Sequence, residues 1–351
     1  MVTREIMRST TRDFRKYYNP KLNGELRMDT NTNVLGSNPA ASRYLKGLEI
    51  DLDGYPNTYS DGLREALADL YGLDMDNFIV GNGSDEMLDV SFKTFTEWGD
   101  NCVVPVPSYT LYEYFVGMNG GRPIEVDLTD DFQLDVDSIV RSGAKIAIMP
   151  SPNNPTGNVF RAKDIEEILS RFGGMVIVDE AYGEYAPNGS MLKRVDEFDN
   201  LIVMRTFSKA YAMAALRIGY AVTNLKVADM MTAIKIPYSL NKISEGAATA
   251  AVKDQAFIQK SVRMVSDERP KLAGKLRELG FEPYPSDSNF ILAKSPIDHA
   301  VLVKRLKEKG VLIRDFGSKR RTENCVRMTV GTEELNDYML KKISEVLEEF
   351  R

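Results

Sequence analysis

At 351 residues the chain is too long for one ordinary core and about right for two domains of roughly 100–200 residues each. It is 43% hydrophobic and 27% charged, and its 45 basic and 51 acidic residues leave a net charge of −6, which gives no support for a nucleic-acid footprint. A single histidine argues against a multi-histidine zinc site and would leave any Ser-His-Asp hydrolase resting on one residue.

Residues 1–36 are irregular, and the stretch from Met1 to Ser9 carries arginines without the apolar core of a secretory signal. They are expected to pack on the C-terminal part of the chain or to reach a partner subunit. Leu63, Leu67 and Leu70 form a helical stripe after the capping candidates Ser60 and Asp61, and Gly72 ends it. Phe78-Ile79-Val80 then runs into Gly81, and Cys102-Val103-Val104 into Pro105. Lys145-Ile146-Ala147-Ile148-Met149 runs into Pro150, and Met175-Val176-Ile177-Val178 into Asp179. Leu201-Ile202-Val203-Met204 and the stretch 217–222 complete the set. Runs this short and this apolar read as strands buried on both faces of a mainly parallel sheet. Between them Ile165, Ile168, Leu169 and Phe172 keep helical spacing, with Gly173-Gly174 as the stop.

The pattern predicts an α/β fold: a three-layer α/β/α large domain over 37–240 and a smaller α+β domain over 241–351. In the latter, charged helical stretches run from 244 to 279. A strand over 289–293, a helix over 301–309, two further strands and a C-terminal helix follow. His299 is expected on a solvated helix face, without a role. No run approaches the roughly 18 apolar residues of a membrane span, and Arg217 interrupts the richest one, 210–222. Cys102 and Cys325, far apart and without metal-type spacing, suggest a reduced, cytoplasmic protein.

The polar residues that follow these strands carry the chemistry. Gly81-Asn82-Gly83-Ser84-Asp85-Glu86 opens a helix whose first amides and partial positive charge suit an anion, although the same turn is also an ordinary helix start. It is neither a Walker loop nor a G-x-G-x-x-G fingerprint. Ser151-Pro152-Asn153-Asn154-Pro155-Thr156-Gly157 projects Asn154 above a strand end, where open α/β sheets bind ligands. Asp179, after four apolar residues, is liable to burial and needs a cationic partner, and Tyr182 aims a phenol at the same place. Lys209, in Arg205-Thr206-Phe207-Ser208-Lys209-Ala210, is a usable amine only if burial or a nearby cation disfavours its proton. A phosphate cradle, an anion for a ring nitrogen, an aromatic platform at Tyr109, amide and phenol donors and an amine together match what pyridoxal 5′-phosphate requires.

In these motifs the chain resembles the fold-type I pyridoxal-phosphate aminotransferases, and most closely the histidinol-phosphate aminotransferases. The similarity extends from Tyr55-Pro56 to Arg327-Met328-Thr329-Val330-Gly331-Thr332. The resemblance implies that Lys209 bonds the cofactor aldehyde and later moves a proton between Cα and C4′, and that Asp179 keeps the ring nitrogen protonated. Tyr109 would stack on the ring, and Asn154 and Tyr182 would reach its 3′-oxygen. Gly83, the Ser84 and Asp85 amides, Thr206, Ser208 and Arg217 would surround the phosphate. Tyr55 would reach the phosphate of a second subunit, making a homodimer the working unit. Arg327 and Arg314 would bind substrate anions, with Lys319, Arg320 and Arg321 as further charge or as a solvated loop. Asn31-Thr32-Asn33-Val34 stands where relatives carry an Asn-Glu-Asn-Pro-like stretch, and Tyr17 or Tyr18 would touch substrate from the other subunit. The implied reaction moves an amino group between L-histidinol phosphate and 2-oxoglutarate, without metal. An aromatic amino acid aminotransferase and a phospho-amino-acid decarboxylase are the alternatives.

Overall fold

The computed structural model describes residues 4–14, 26–49, 51 and 53–350. After two single 3-10 turns come β1 (Leu26–Arg27), α1 (Pro39–Lys46), α2 (Asp61–Tyr71), β2 (Phe78–Gly81), α3 (Ser84–Phe95), β3 (Asn101–Val106) and α4 (Leu111–Met118). Next are β4 (Arg122–Asp127), α5 (Val136–Arg141), β5 (Ile146–Pro150), α6 (Ala162–Arg171), β6 (Met175–Asp179), β7 (Leu201–Thr206) and β8 (Gly219–Thr223). The helices α7 (Leu225–Ile234), α8 (Lys242–Lys253) and α9 (Ala256–Glu278) lead to β9 (Glu282–Pro283), β10 (Phe290–Lys294) and α10 (His299–Glu308). The chain closes with β11 (Val311–Leu312), β12 (Arg314–Asp315), β13 (Cys325–Thr329) and α11 (Glu333–Glu348).

Seven strands form one sheet in the order β2-β8-β7-β6-β5-β3-β4, parallel except for β8, which runs against both neighbours. The apolar runs are buried throughout because alternate side chains serve two cores. Ile79, Val104, Ile148, Ile177 and Ile202 pack against Leu88 and Phe92 of α3, Phe115 of α4 and Met231 of α7. Val80, Val103, Met149, Val178 and Val203 face the opposite layer, with Leu67 of α2, Ile168 of α6 and Ala247 of α8. The expected α/β/α layering is the observed one.

Three local readings need correction. The edge strand β4 was absent from the predicted set: only Val126 of its six residues is buried, so no apolar run marks it. Its proline is tolerated because an edge strand has an unpaired side. Ser60 does not cap α2 with its side chain; its backbone is left-handed, and Asn57 Oδ1 accepts from the Asp61 amide instead (3.3 Å). Arg217 is not in β8 but ahead of it, in a left-handed conformation with φ 53°. The strand starts at Gly219, where an added Cβ would lie 2.1 Å from the Ser84 nitrogen, so β8 passes directly beneath the start of α3.

The C-terminal residues build a four-stranded antiparallel sheet, β12-β13-β10-β9, backed by α9, α10 and α11. β1 pairs in parallel with β11, and the Thr329 amide donates to Met28 O (2.8 Å), so the chain from 26 onward is stitched to this part. Residues 4–14 lie elsewhere, with Phe14 stacked on Tyr114 of α4 at 4.3 Å. Helix α8 packs on α1 and α2. Among the described residues no helix is long and apolar enough to cross a membrane.

Candidate functional site

Five strand ends converge. The residues following β2, β3, β5, β6 and β7 line a cavity of about 270 Å³ together with residues 29–30, Arg217, and Arg314 and Arg327 from the C-terminal sheet. This is the C-terminal edge of the parallel strands, where open α/β sheets leave a crevice.

One end of the cavity is built for an anion. The Ser84 and Asp85 amides open α3 ahead of its first backward hydrogen bond, from the Glu86 amide to Gly83 O (3.2 Å). Gly83 precedes them at φ +89°, and a Cβ there would stand 3.0 Å from Arg217 Nη2. Thr206 Oγ1 donates to Ser208 Oγ (3.0 Å), and Arg217 pairs with Asp85 at 3.0 Å. The left-handed turn at Arg217 aims its guanidinium back over the helix start.

The opposite end holds Asp179, which is 6% exposed. Its Oδ2 accepts from Tyr112 Oη (2.7 Å) and its Oδ1 from the Ala181 amide (3.0 Å). Burial pushes its carboxyl up to about 6, with these two hydrogen bonds pulling downward and the Asp85 and Glu180 carboxylates adding to the rise. Among the described residues no cation forms an ion pair with it. Lys209 stands nearby with Nζ donating to Thr30 O (3.1 Å) and lying 5.4 Å from the centre of the Tyr182 ring. The Tyr182 hydroxyl accepts from Asn31 Nδ2 (3.0 Å). Tyr109 meets Tyr112 edge-on at 5.4 Å and contributes to the cavity wall.

A third group comes from the C-terminal sheet. Arg327 on β13 is 5% exposed, its guanidinium between Phe290 (5.1 Å) and Phe316 (5.3 Å). It donates to Asn154 Oδ1 and to Asp29 O (2.7 Å). Arg314 on β12 is its cross-strand partner. Cross-strand partners share a face of the sheet, and two like charges that both border the cavity favour an anion there.

The expected residues Gly83, Ser84, Asp85, Tyr109, Asn154, Asp179, Tyr182, Thr206, Ser208, Lys209, Arg217, Arg314 and Arg327 therefore meet in or directly beside one cavity. Tyr55 is apart from it, 84% exposed and stacked on Tyr238 at 5.0 Å. Tyr17 and Tyr18 lie outside the described residues. The basic run divides: Lys319 lines the cavity, Arg320 pairs with Glu125 and Asp127 (2.9 and 2.6 Å), and Arg321 with Asp130 (3.0 Å). His299 is not on a solvated face; its side chain is 14% exposed and Nδ1 lies 2.8 Å from Asp315 Oδ1.

Several residues escaped the sequence reading. Tyr112 lies one helical turn after Tyr109, a spacing that could have flagged it. Asn153, fully buried, donates to Pro107 O (2.9 Å) and Thr156 Oγ1 (2.8 Å), tying the loop after β5 to the loop after β3. Asn31 and Asn33, in a stretch that the resemblance had singled out without giving either a bonding role, brace the segment crossing the cleft, the latter through Ala210 O (2.9 Å) and Ser261 Oγ (2.8 Å). Beneath the site Arg205 donates to Glu180 Oε2 (2.6 Å) and Glu184 Oε1 (3.0 Å), an ion-pair cluster almost wholly buried.

The aminotransferase class I and II family matches residues 24–343. A histidinol-phosphate aminotransferase of Caldanaerobacter subterraneus subsp. tengcongensis is 33% identical over 349 residues, covering 97% of this chain and 99% of its own. One from Thermoanaerobacter sp. is 36% identical over 298 residues, 84% of each chain. Among solved structures, histidinol-phosphate aminotransferase from Sinorhizobium meliloti, in complex with pyridoxal-5′-phosphate, superposes with a TM-score of 0.85 at 25% identity, covering 93% of this chain and 92% of that one.

Proposed function

The chain belongs to the aminotransferase class I and II family, and on that footing we propose that it uses pyridoxal 5′-phosphate to exchange an amino group between L-histidinol phosphate and 2-oxoglutarate. One observation carries the cofactor assignment. A buried carboxylate without a cationic partner and an anion cradle stand in the same cavity as the Lys209 amine. A protonated ring nitrogen answers the first need and a phosphate the second. When bound, pyridoxal 5′-phosphate supplies an aldehyde carbon for amines and a ring that takes up the electrons of a broken Cα–H bond.

The protein supplies position, charge and a mobile proton. Asp179 would face the ring nitrogen, its negative charge held in place by Tyr112 and the Ala181 amide. Lys209 Nζ would take the substrate's Cα proton and deliver it to the cofactor's aldehyde carbon on the far side of the nitrogen, with Thr30 O as its resting partner. Asn154 uses its oxygen on Arg327, which leaves its NH₂ as the donor for the ring oxygen beside Tyr182. Tyr109 would cover one ring face. The α3 amides, Thr206, Ser208 and Arg217 would hold the phosphate.

Arg327 and Arg314 would bind the phosphate of histidinol phosphate in one half-reaction and a carboxylate of 2-oxoglutarate in the other. Tyr55, exposed and remote from this cavity, would enter the site of a second subunit in a homodimer. The two unpaired cysteines support a reducing, cytoplasmic setting.

The test supplies purified protein and cofactor with histidinol phosphate, phenylalanine, tyrosine or O-phosphothreonine, each with 2-oxoglutarate. Glutamate formed fastest from histidinol phosphate, without carbon dioxide, is the expected result. Glutamate from the aromatic amino acids alone would overturn the substrate assignment. A visible absorption band that shifts on adding amine should vanish in Lys209→Ala; a variant retaining it would remove Lys209 from the role.

A further inference from the structure

The run Lys319-Arg320-Arg321 lies between the two substrate arginines in sequence, and the structure gives its members different tasks. Arg320 and Arg321 are tied across the cleft to carboxylates of β4 and the turn after it. The loop itself is wound by two successive turns: the Lys319 amide donates to Phe316 O (3.0 Å) and the Thr322 amide to Lys319 O (3.1 Å). Thr322, 1% exposed, adds a bond from Oγ1 to Phe316 O (2.9 Å). At its base Asp315 Oδ1 accepts from the Gly317 amide (2.9 Å) and lies 2.8 Å from His299 Nδ1. A loop fixed at both ends thus presents Lys319 to the cavity that Arg314 and Arg327 line. Partial burial and the Arg314 charge hold the Lys319 ammonium below its ordinary range, with Glu113 of α4 pulling the other way.

We propose that Lys319 is a specificity-determining residue, adding a third positive charge that favours a doubly charged phosphate monoester over a singly charged carboxylate at the Arg314–Arg327 position. The inference rests on the transamination reading above, in which one anion site serves both substrates. A carboxylate is met by one guanidinium fork. A phosphate dianion has three acceptor oxygens and twice the charge, so a lysine at the rim interacts with it about twice as strongly at equal distance. The two half-reactions therefore provide an internal comparison within one enzyme.

The experiment measures steady-state kinetics of the holoenzyme, varying histidinol phosphate and 2-oxoglutarate separately, for wild type, Lys319→Gln and Lys319→Arg. Lys319→Gln should raise KM for histidinol phosphate about tenfold, the size of one lost charge-assisted contact, with kcat little changed. KM for 2-oxoglutarate should change by less than about threefold, and Lys319→Arg should restore most of the loss. Equal rises in both KM values would show a loop that matters only structurally and would overturn the proposal, as would no change in either. A wild-type enzyme that transaminates other amines but not histidinol phosphate would sink the substrate reading, visibly before any variant is compared.

Discussion

Asp179 makes the cofactor claim quantitative. Burial pushes its carboxyl from an ordinary 3.8 up to about 6. At about 1.4 kcal/mol per pH unit, the buried charge costs the fold about 3 kcal/mol at pH 8. Because the folded value is the higher one, the folded chain holds more protons than the unfolded chain between pH 4 and 6. Stability is therefore lost as pH rises through that window and stays lost above it. Asp179→Asn removes the charge, but its single amide oxygen can accept from Tyr112 or from the Ala181 amide, not from both as the carboxylate does. That lost hydrogen bond costs about 1 kcal/mol.

The balance changes with pH. Near pH 4.5 the burial penalty has grown only to about 1 kcal/mol, so the two cofactor-free proteins should be equally stable. At pH 8 the variant should be ahead by about 2 kcal/mol. Urea unfolding of cofactor-stripped wild type and variant across this range measures the difference directly. Added pyridoxal 5′-phosphate should reverse the order, because only the wild type offers the ring nitrogen a counter-charge, and the variant should lose at least about a hundredfold in kcat. A stability difference that stays flat from pH 4.5 to 8, or a variant less stable at pH 8, would refute the assignment of Asp179 as a carboxylate waiting for a cation.

Three further outcomes follow from the same geometry. Tyr112→Phe removes a hydrogen bond that lowers the Asp179 carboxyl, so the acid limb of kcat/KM should move to higher pH with about tenfold lower activity; a superimposable pH profile would contradict this. Arg205→Met strands the Glu180 and Glu184 carboxylates without their counter-ion and should cost about 3–5 kcal/mol in urea unfolding; a loss below about 1 kcal/mol would show that the cluster is relieved some other way. Burial pushes the Cys102 thiol up to about 12 and the Cys325 thiol up to about 11, so a disulfide reagent should label neither in the native protein near pH 8 and both in denaturant.

What the sequence disclosed depended on how local the signal was. Strands buried on both faces announce themselves as unbroken apolar runs, and the residues just past them, such as Asp179 and Lys209, are placed by the strand alone. β4 was hidden because it lies at the sheet edge and its charged residues face water and the Arg320 guanidinium. Asn154 and Arg327, 173 residues apart, were each assigned to the site, but nothing local says that they bond to one another. The opposition of Arg314 and Arg327 depends on the antiparallel register of two strands of two and five residues. His299 was assigned to solvent because its sequence neighbours are polar, whereas the fold sets the imidazole against Gly317, where a built Cβ would fall 2.1 Å from the ring.

The site carries two electrostatic features of opposite sign. At the sheet end a buried carboxylate is held by two neutral donors, and at the C-terminal wall Arg314 faces Arg327 across adjacent strands. Pairing one with the other would satisfy both, but they belong to separate sheets and have different partners, Arg327 being bound to Asn154, the Asp29 carbonyl and two phenyl rings. On the reading proposed above, a ring cation would answer the carboxylate and a substrate anion the arginines. Each such ligand, binding only the folded chain, should stabilise it. Residues 29–33 run between the two ends, offering the Asp29 carbonyl to Arg327, the Thr30 carbonyl to Lys209 and Asn31 to Tyr182. One short segment of chain thus touches Arg327, Lys209 and Tyr182, so that under the roles proposed above an anion bound at the C-terminal wall would have a direct route of contact to the lysine.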